Sequence, residues 1–492
     1  MIPFLVALLA ILFLVFSLKR PRSRLLLPPG PKPWPLIGNI LDMPVVRPYE
    51  KYQEWCEAYG SDVIFLHLPT RPIVILGSAK AAFDLLDKRS NIYSDRVTSV
   101  LLELMEWGFN FGFMAYTPRW RAHRRMFHQY FHQGIVNKYQ SAQRQQVRTF
   151  LSWILEDPAN TRKHVRQLVT SIVFFVTYGK KIASMDDEYV LLAQDAVEGV
   201  GKATVAGAYW IDLLPIIKYI PSWVPGTAAK RLAEEYRPRV VSMRDKPYLE
   251  VRDAVVSDSK AHLYAPPLMT LPDTEQRKYG GTEDEATFDE IAKNVSGLAY
   301  TFSACSSFLL AMAMFPEVQK RAQAELYRVV GPSRLPDYDD ISQIPYIRAM
   351  MMETMRWMPV LPFGVPHALI ADDTYKSYHI PRGTMVIYNK SPPYNSLWFR
   401  AILHNEEDYP SPNAFKPERF LDEDGNMDPT VQDPTTIAFG FGRRICPGRY
   451  FSHNTLSMFI ASVLHVFDIT AGVDASGKPI ELSMEMAGGI IS

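Results

Sequence analysis

The sequence predicts a mainly helical protein with a small β portion, that is, an α+β fold. Apolar residues recur at helical spacing in several runs, whereas one short stretch has the pattern of a β-hairpin. The helical runs are Lys80 to Leu86, Val165 to Tyr178, Tyr346 to Trp357 and Arg449 to Val466. The hairpin pattern lies in Asp62 to Leu68 and Pro72 to Leu76, on either side of a turn at Pro69 to Arg71.

The bulk properties are those of an ordinary globular protein. The chain has 492 residues, 47% of them hydrophobic, and a formal net charge of +1. Its length would allow two or three domains, but it shows no internal repeat, low-complexity tract or second-domain boundary. The near-neutral charge argues against a nucleic-acid-binding surface. The three cysteines, Cys56, Cys305 and Cys446, are far apart, which excludes a disulfide framework or zinc knuckle and indicates a reducing compartment.

The first residues predict a membrane anchor. Ile2 to Leu18 are apolar apart from Ser17, and Lys19, Arg20, Arg22 and Arg24 follow. At ~1.5 Å per residue this run just spans a hydrocarbon core of roughly 30 Å. The basic cluster should stay in the cytosol, so residues 1–20 are predicted to be a transmembrane anchor with the remaining chain facing the cytoplasm. A cleaved signal peptide is the alternative, but the charges follow the apolar run and no small-x-small cleavage site precedes them.

Residues 21–40 are basic and proline-rich, which predicts a hinge before a cytosolic domain over residues 41–492. Leu27 to Pro35 contains too many prolines for a helix or a central strand. A plain spacer is the alternative.

Further along, Val97 to Thr117 is irregular and aromatic and suits either a substrate-facing loop or a plain surface loop. Ser257 to Thr282, rich in proline, glycine and charge, is the expected flexible connector.

A glycine-rich loop, Phe439 to Gly448, carries one cysteine at the start of an apolar helix and reads FGFGRRICPG. Its three glycines allow tight, partly left-handed backbone, so that the loop can approach a large flat ligand closely. Pro447 fits a first helical turn. At a helix N-terminus Cys446 meets free N–H donors and the positive end of the helix dipole, which favours a thiolate suited to ligate iron. A buried structural cysteine is the alternative.

This loop resembles the haem-binding loop of the cytochrome P450 haem-thiolate family, and the chain is most similar to its fungal microsomal members. The resemblance implies haem b, with Cys446 as the axial thiolate, between a long central helix and the helix after the cysteine. It implies that Phe439, Arg444 and Gly448 contact the cofactor. It also implies a single-pass protein of the endoplasmic reticulum membrane whose proline-rich hinge sets the catalytic domain on the membrane surface.

Two further segments carry candidate cofactor contacts. Trp120 and Arg124 lie four apart on a predicted helix, so an indole N–H and a guanidinium point the same way and could bind an anion. A solvated basic face is the alternative, and the resemblance implies a haem propionate. Pro359 to His367 should be extended, because each proline disfavours helix in the residue before it. By resemblance Val360 to Val365 line the substrate pocket and His367 contacts a propionate, with a lone surface histidine as the alternative.

An ion-pair motif lies on the methionine-rich helix opened by Pro345. Glu353 and Arg356 are three apart and share one face, where charge would be costly unless paired. The resemblance implies that Arg419 is the third member of a Glu–Arg–Arg network that braces the haem loop. The alternative is a solvent-exposed ion pair that adds little to the stability of the fold.

The long central helix is expected to start near Glu283 and to end before Pro316. In the family it carries a glycine-rich patch, then an acid and a threonine that relay protons during oxygen activation. This segment can be aligned with the family pattern in two ways. One alignment places Ala299 at the position of the acid and the other deletes the whole motif, so the acid is missing in both. Thr301, and less so Ser303, remains as a hydroxyl beside the iron, unless it bonds back to its own helix. We therefore expect weakened coupling with more peroxide, or an unusual reaction.

Two more departures from the family pattern occur. Lys390 to Phe399 looks like an insertion between a strand and the next helix, tolerable if it loops out, and the chain ends at Ser492 before an expected terminal hairpin. Mis-assigned exon borders would also produce all three departures, namely the altered central helix, the insertion and the short C-terminal end.

No G-x-G-x-x-G follows a strand, so electrons should come from a partner. The resemblance implies an NADPH–haemoprotein reductase, with a small haem electron carrier as another donor. The reductase would dock on a basic patch drawn from Arg443, Arg444, Arg449 and Lys416, although scattered solvated charge is the alternative.

The implied reaction is insertion of one oxygen atom from O2 into a small lipophilic substrate, such as a secondary metabolite, a terpenoid or an aromatic xenobiotic. The alternatives are a haem-thiolate isomerase or dehydratase that needs no O2 activation, and a non-catalytic haem-binding relative.

Overall fold

The computed structural model describes residues 25–44, 47–184, 186–204, 209–212, 214–257, 290–291, 293–294, 302–390, 402–474 and 476–484. Helices dominate, as predicted. They are α1 Pro48–Ala58, α2 Ala79–Ala82, α3 Ser90–Tyr93, α4 Val100–Leu104, α5 Pro118–Phe131, α6 Gln140–Glu156, α7 Thr161–Tyr178, α8 Glu188–Ala203, α9 Ala228–Ser257, α10 Phe302–Met314, α11 Pro316–Val330, α12 Tyr338–Ser342, α13 Pro345–Trp357, α14 Thr435–Ala438 and α15 Arg449–Val466.

Two small sheets make up the β portion. The strands are β1 Val63–Leu66, β2 Ile73–Leu76, β3 Asp95–Arg96, β4 His367–Ala368, β5 Asp373–Tyr375, β6 Tyr378–Ile380 and β7 Met385–Tyr388. The predicted hairpin is confirmed, because β1 and β2 pair antiparallel. The larger sheet has the order β1-β2-β7-β4-β3, in which only β2 and β7 run parallel, and β5 pairs with β6. Segments far apart in sequence thus meet beside the cysteine loop.

The helix after the cysteine loop lies at the centre of the core. In α15, Leu456, Phe459 and Ile460 are fully buried. The Phe459 ring packs against Phe150 of α6 at 5.4 Å and against Phe308 of α10 at 5.9 Å. Because neighbours enclose α15 on several sides, its apolar residues are not confined to one stripe. The helix therefore holds the preceding loop rigidly against the core.

Three local predictions need correction. Val97 to Thr117 is not irregular throughout, since it contains α4 and a 3-10 turn at Trp107–Phe109. The stretch before His367 is not fully extended, because the Gly364 N–H donates to the Leu361 carbonyl at 3.2 Å. Prolines exclude a helix there but allow a turn, and Gly364 adopts φ +58°. Pro447 lies outside the first helical turn, since α15 begins at Arg449 with Gly448 as its N-cap.

Several predicted features lie outside the described residues: the apolar run 2–18, most of the connector 257–282, Thr301, the segment 391–399 and the chain end. Of the predicted central helix, residues 290–291, 293–294 and 302–314 are described and helical, and α10 ends before Pro316 as predicted. Within the described ranges, no helix combines the length and apolar character needed to cross a membrane.

Candidate active site

A buried cavity of about 310 Å³ lies against the cysteine loop, within the size range of ligand pockets. Its walls come from α5, α7, α10, the segment after α13 and the ends of β3, β4 and β7. Phe111, Phe127, Val360 and Leu361 make these walls largely apolar. Asn110 to Phe113 line the cavity. This supports the prediction that the loop before α5 faces the substrate.

The cysteine loop has the backbone that its glycines predict. Gly440 and Gly442 adopt φ +82° and φ +52°, in the left-handed region that disfavours side chains. A Cβ on Gly442 would stand 2.5 Å from the Leu86 carbonyl oxygen, so the loop also needs glycine for close packing. The Cys446 N–H donates to the Phe439 carbonyl at 2.8 Å and closes the loop. Phe439, Cys446 and Gly448 of this loop all line the cavity.

The electrostatics of Cys446 differ from the prediction. Burial raises the pKa of the thiol, although the Gly448 N–H, Arg124, Arg449 and Lys390 act in the opposite direction. The Gly448 N–H at the helix N-terminus favours the thiolate, as predicted, but burial outweighs this effect and that of the nearby cations in the polypeptide alone. A bound metal ion changes this balance, because coordination deprotonates a thiol.

Trp120 and Arg124 both face the cavity, as their spacing predicts. They lie on α5, which Pro118 opens at its first position and the Thr117 hydroxyl caps by accepting from the Trp120 N–H at 3.4 Å. Trp120 is buried, and burial lowers the pKa of Arg124 to about 10. Arg124 therefore presents a poorly solvated positive charge to the cavity.

Arg444 of the cysteine loop joins this pair. Its guanidinium lies 4.2 Å above the Trp120 ring and donates to the Ser94 carbonyl at 2.6 Å and the Met114 carbonyl at 2.7 Å. Burial, followed by the charge of Arg96, lowers its pKa to about 8. Arg444 is thus a cavity residue and is not among the candidates that could form an exposed docking patch.

Arg96 is a cavity residue that no sequence motif predicted. The antiparallel register of β3 and β4 pairs Arg96 with His367, and both residues line the cavity. Arg96 donates to the Val365 carbonyl at 2.6 Å and the Pro366 carbonyl at 3.0 Å. No local motif marks Arg96, because its place depends on a pairing between residues 271 positions apart, 367 − 96.

His367 is buried, not a surface histidine. Its Nδ1 lies 2.7 Å from the Tyr93 carbonyl oxygen, so Nδ1 carries a proton and donates. Burial lowers the pKa of His367 well below its usual value. The neutral ring therefore offers Nε2 only as an acceptor, and His367 can donate to a carboxylate only when an anion nearby stabilises the protonated ring.

The side chains around the cavity fit a haem. Among the described lining residues Arg96, Arg124, Lys390 and Arg444 are basic and none is acidic. Buried cations are costly without an anionic partner, and haem carries two carboxylates. The Cys446 sulfur supplies a ligand for iron, and the apolar walls suit the flat ring. The donor set therefore matches both the metal and the acidic groups of the cofactor.

The Glu353 network supports the cysteine loop from behind. Arg356 donates from Nε and Nη2 to the two Glu353 oxygens at 2.7 and 2.8 Å, and both residues are fully buried. Arg419 donates to Glu353 Oε1 at 3.2 Å, which confirms it as the third member. The Lys416 N–H adds a bond of 2.8 Å to the same oxygen. The carboxylate thus ties α13 to the segment that precedes the cysteine loop.

Other predicted residues are placed as follows. Thr301 lies outside the described residues, Ser303 is buried on α10 away from the cavity lining, and Ala304 lines the cavity. Lys390 is not part of a solvent-exposed loop, since it is buried and lines the cavity.

A cavity with one cysteine sulfur, several buried cations and apolar walls defines a haem-thiolate class of protein. The family model described as "Cytochrome P450" matches residues 28–487. The chain is 41% identical over 470 residues to cytochrome P450 monooxygenase ple1 of Rhodocybe pseudopiperita, covering 95% of this chain and 87% of that protein. It is 41% identical over 472 residues to cytochrome P450 monooxygenase COX2 of Coprinopsis cinerea (94% and 86%). It is 37% identical over 470 residues to tryptamine 4-monooxygenase of Psilocybe cyanescens (94% and 89%).

The chain belongs to the cytochrome P450 family. This establishes the mainly α P450 fold, a haem-thiolate monooxygenase function within the oxidoreductases, and haem b with a cysteine thiolate as axial ligand. It also establishes, in general form, a redox partner and a small lipophilic substrate.

Proposed function

We propose that this protein inserts one oxygen atom from O2 into a small lipophilic molecule held in the cavity, with electrons supplied by an NADPH-dependent reductase. The observation that carries the proposal is Cys446, which lines a cavity with largely apolar walls and several basic side chains.

In this proposal Cys446 holds the iron, and Phe439 and Gly448 lie against the ring. Trp120, Arg124 and Arg444 hold the carboxylates, with Arg96 and His367 beside them. The haem, when bound, supplies oxygen activation and accepts electrons one at a time. The three arginines contribute fixed positive charge in a poorly hydrated site, where each interaction with a carboxylate is stronger than in water.

The rest of the lining selects the substrate. Phe111, Phe113, Val360 and Leu361 exclude water and favour an apolar or aromatic molecule. The relative named tryptamine 4-monooxygenase supports the aromatic part of the proposed range. Thr301 is proposed as the hydroxyl that helps to deliver protons in place of the missing acid–threonine pair.

Electron entry is proposed on the surface behind the cysteine loop. Arg443 and Lys416 are exposed, whereas Arg449 is partly buried and donates to the Cys446 carbonyl at 3.4 Å. Exposed cations near the thiolate suit an acidic reductase surface, because charge complementarity guides docking.

The decisive experiment compares wild type with Cys446→Ser and a control, Cys56→Ser, in membranes with added reductase. Wild type and the control should show the thiolate-dependent band of the reduced carbon monoxide complex and should convert a substrate only with NADPH and reductase. Cys446→Ser should lose both. Peroxide released per electron pair should be high if proton delivery is impaired.

Other outcomes contradict the proposal in distinct ways. Conversion without reductase would indicate a haem-thiolate isomerase or dehydratase. A normal thiolate band without conversion of any compound in a lipophilic panel would indicate a non-catalytic haem protein, and a thiolate band in Cys446→Ser would place the ligand elsewhere.

We also propose that residues 1–20 are a single-pass anchor in the endoplasmic reticulum membrane, residues 21–40 a hinge and residues 41–492 the cytosolic catalytic domain. The apolar run 2–18 and the basic residues after it support this. Deletion of residues 1–24 should convert a carbonate-resistant membrane protein into a carbonate-extractable one that keeps its thiolate band. Carbonate resistance of the deleted form would contradict the anchor.

A further inference from the structure

Lys390 is a buried lysine directly after the central strand β7. It is 1% exposed, although the sequence suggested the start of a looped-out insertion. Its backbone N–H still donates to the Pro362 carbonyl at 2.9 Å, and the preceding Asn389 N–H donates to the Leu76 carbonyl at 3.1 Å. Lys390 therefore continues the ordered sheet, and both Tyr388 and Lys390 line the cavity, as the two-residue repeat of a strand requires.

The ammonium of Lys390 is attached to the cysteine loop. Nζ donates to the Ala438 carbonyl at 3.2 Å and lies 5.3 Å from the centre of the Tyr388 ring. Ala438 immediately precedes Phe439, the residue whose carbonyl accepts from the Cys446 N–H. One hydrogen bond therefore connects Lys390 with the hydrogen-bonded frame that positions the sulfur.

The charge of Lys390 needs an anionic partner. An ammonium has three donors, and Ala438 is its one hydrogen-bond acceptor among the described residues. Burial lowers the pKa of Lys390 to about 7, and the Cys446 sulfur is the group whose charge opposes that effect. Lys390 in turn favours the charged form of Cys446. A buried cation this poorly compensated is costly unless a negative charge lies nearby, and a thiolate supplies that charge.

We propose that Lys390 is a positioning residue for the thiolate, a buried cation that anchors the start of the cysteine loop and stabilises the negative charge on Cys446. This inference rests on the proposed function, in which Cys446 is the iron ligand. Reduction adds an electron to the cofactor in the cavity that Lys390 and Cys446 both line, so a positive charge on Lys390 favours the reduced state. The midpoint potential of the haem is then more positive, and thiolate ligation more persistent, than without Lys390.

Three variants separate charge, hydrogen bonding and packing. Lys390→Arg keeps the charge, Lys390→Gln keeps a donor without the charge, and Lys390→Met keeps only the length. Lys478→Gln, at an exposed turn, is the matched control. The midpoint potential is measured by spectroelectrochemical titration of the holoprotein, and the thiolate-ligated fraction from the reduced carbon monoxide spectrum.

We expect Lys390→Gln and Lys390→Met to shift the midpoint to more negative potential and to lower the thiolate-ligated fraction, while Lys390→Arg and the control stay close to wild type. If the neutral variants lose haem and Lys390→Arg retains it, the need for charge is equally supported. A wild-type potential in Lys390→Gln, or the same shift or haem loss in Lys390→Arg, would overturn the inference. These failures leave the wild-type thiolate band intact. Failure of the part of the proposed function on which the inference rests, Cys446 as the iron ligand, instead leaves the thiolate band in Cys446→Ser or removes it from wild type and every variant.

Discussion

At the scale of single residues, the carboxylate of Glu353 is the anion at the centre of a buried hydrogen-bond network. It accepts two hydrogen bonds from Arg356, one from Arg419 and one from the Lys416 backbone N–H. Arg356 also donates to the Leu403 and Pro412 carbonyls, so one buried guanidinium links α13 to the chain that leads into the cysteine loop. The role of this network is structural, since none of its three side chains lines the cavity.

Glu353→Ala should destabilise the protein strongly. The substitution leaves the fully buried Arg356 charge without its anion, and breaking a buried pair in this way costs about 3–5 kcal/mol. We expect little or no haem in the purified variant and a much lower thermal unfolding midpoint. Glu54→Ala is the control, because Glu54 is about half exposed and pairs with Lys51 on the surface. Full haem content in Glu353→Ala would refute the bracing role.

Lys390 and Glu353 show two uses of buried charge. Glu353 has four hydrogen-bond donors and no contact with the cavity, whereas Lys390 has a single described acceptor and faces the cavity. The first arrangement is complete without a ligand. In the proposed arrangement, the second is completed by negative charge from the thiolate or the cofactor, as we also propose for Arg96, Arg124 and Arg444.

At the scale of elements, the cysteine loop depends on its fit against the segment between β2 and α3. The Gly442 N–H donates to Asp87 at 2.9 Å, and a Cβ at Gly442 would stand 2.6 Å from the Ser90 Cβ as well as 2.5 Å from the Leu86 oxygen. Gly442 is thus constrained both by its left-handed backbone and by a backbone neighbour that cannot move aside cheaply.

Gly442→Ala should displace the loop and lower haem retention. A side chain in left-handed conformation alone costs roughly 1–2 kcal/mol, and the clash with Leu86 adds to that cost. Gly477→Ala is a matched control, because Gly477 has φ +79° but open space around it. Thermal unfolding and haem content should show a clearly larger loss for Gly442→Ala. Equal losses would mean that the packing against Leu86 and Ser90 contributes nothing.

At the scale of the whole molecule, the sequence predicts what depends on local spacing and misses what depends on tertiary pairing. Trp120 with Arg124, and Glu353 with Arg356, could be paired because residues three or four apart share a helix face. Arg96 could not be predicted, because a strand register brings it to His367. The burial of Lys390 could not be predicted either, because the sequence there resembles an inserted loop, which would be expected at the surface.

Burial of several histidines makes the stability of the whole molecule sensitive to mild acid. Burial lowers the pKa values of His123 and His404, and it lowers that of His453 to about 4, whereas an unfolded histidine has a pKa of about 6.5. Below pH 6.5 the unfolded chain therefore binds protons that the folded chain rejects. Stability must fall as pH decreases, by at most about 1.4 kcal/mol per pH unit for each such histidine.

The thermal unfolding midpoint should accordingly decrease between pH 7.5 and pH 5, above the range in which most carboxylates titrate. His404→Gln should reduce the steepness of this decrease, because it removes one proton that only the unfolded chain binds. His465→Gln is the control, since His465 lies nearer the surface at the end of α15. A midpoint that is constant from pH 7.5 to pH 5, or equal slopes in wild type and His404→Gln, would show that His404 already binds its proton in the folded protein. The comparison of slopes isolates the proton linkage, because a packing defect caused by the glutamine lowers the midpoint at every pH without changing its dependence on pH.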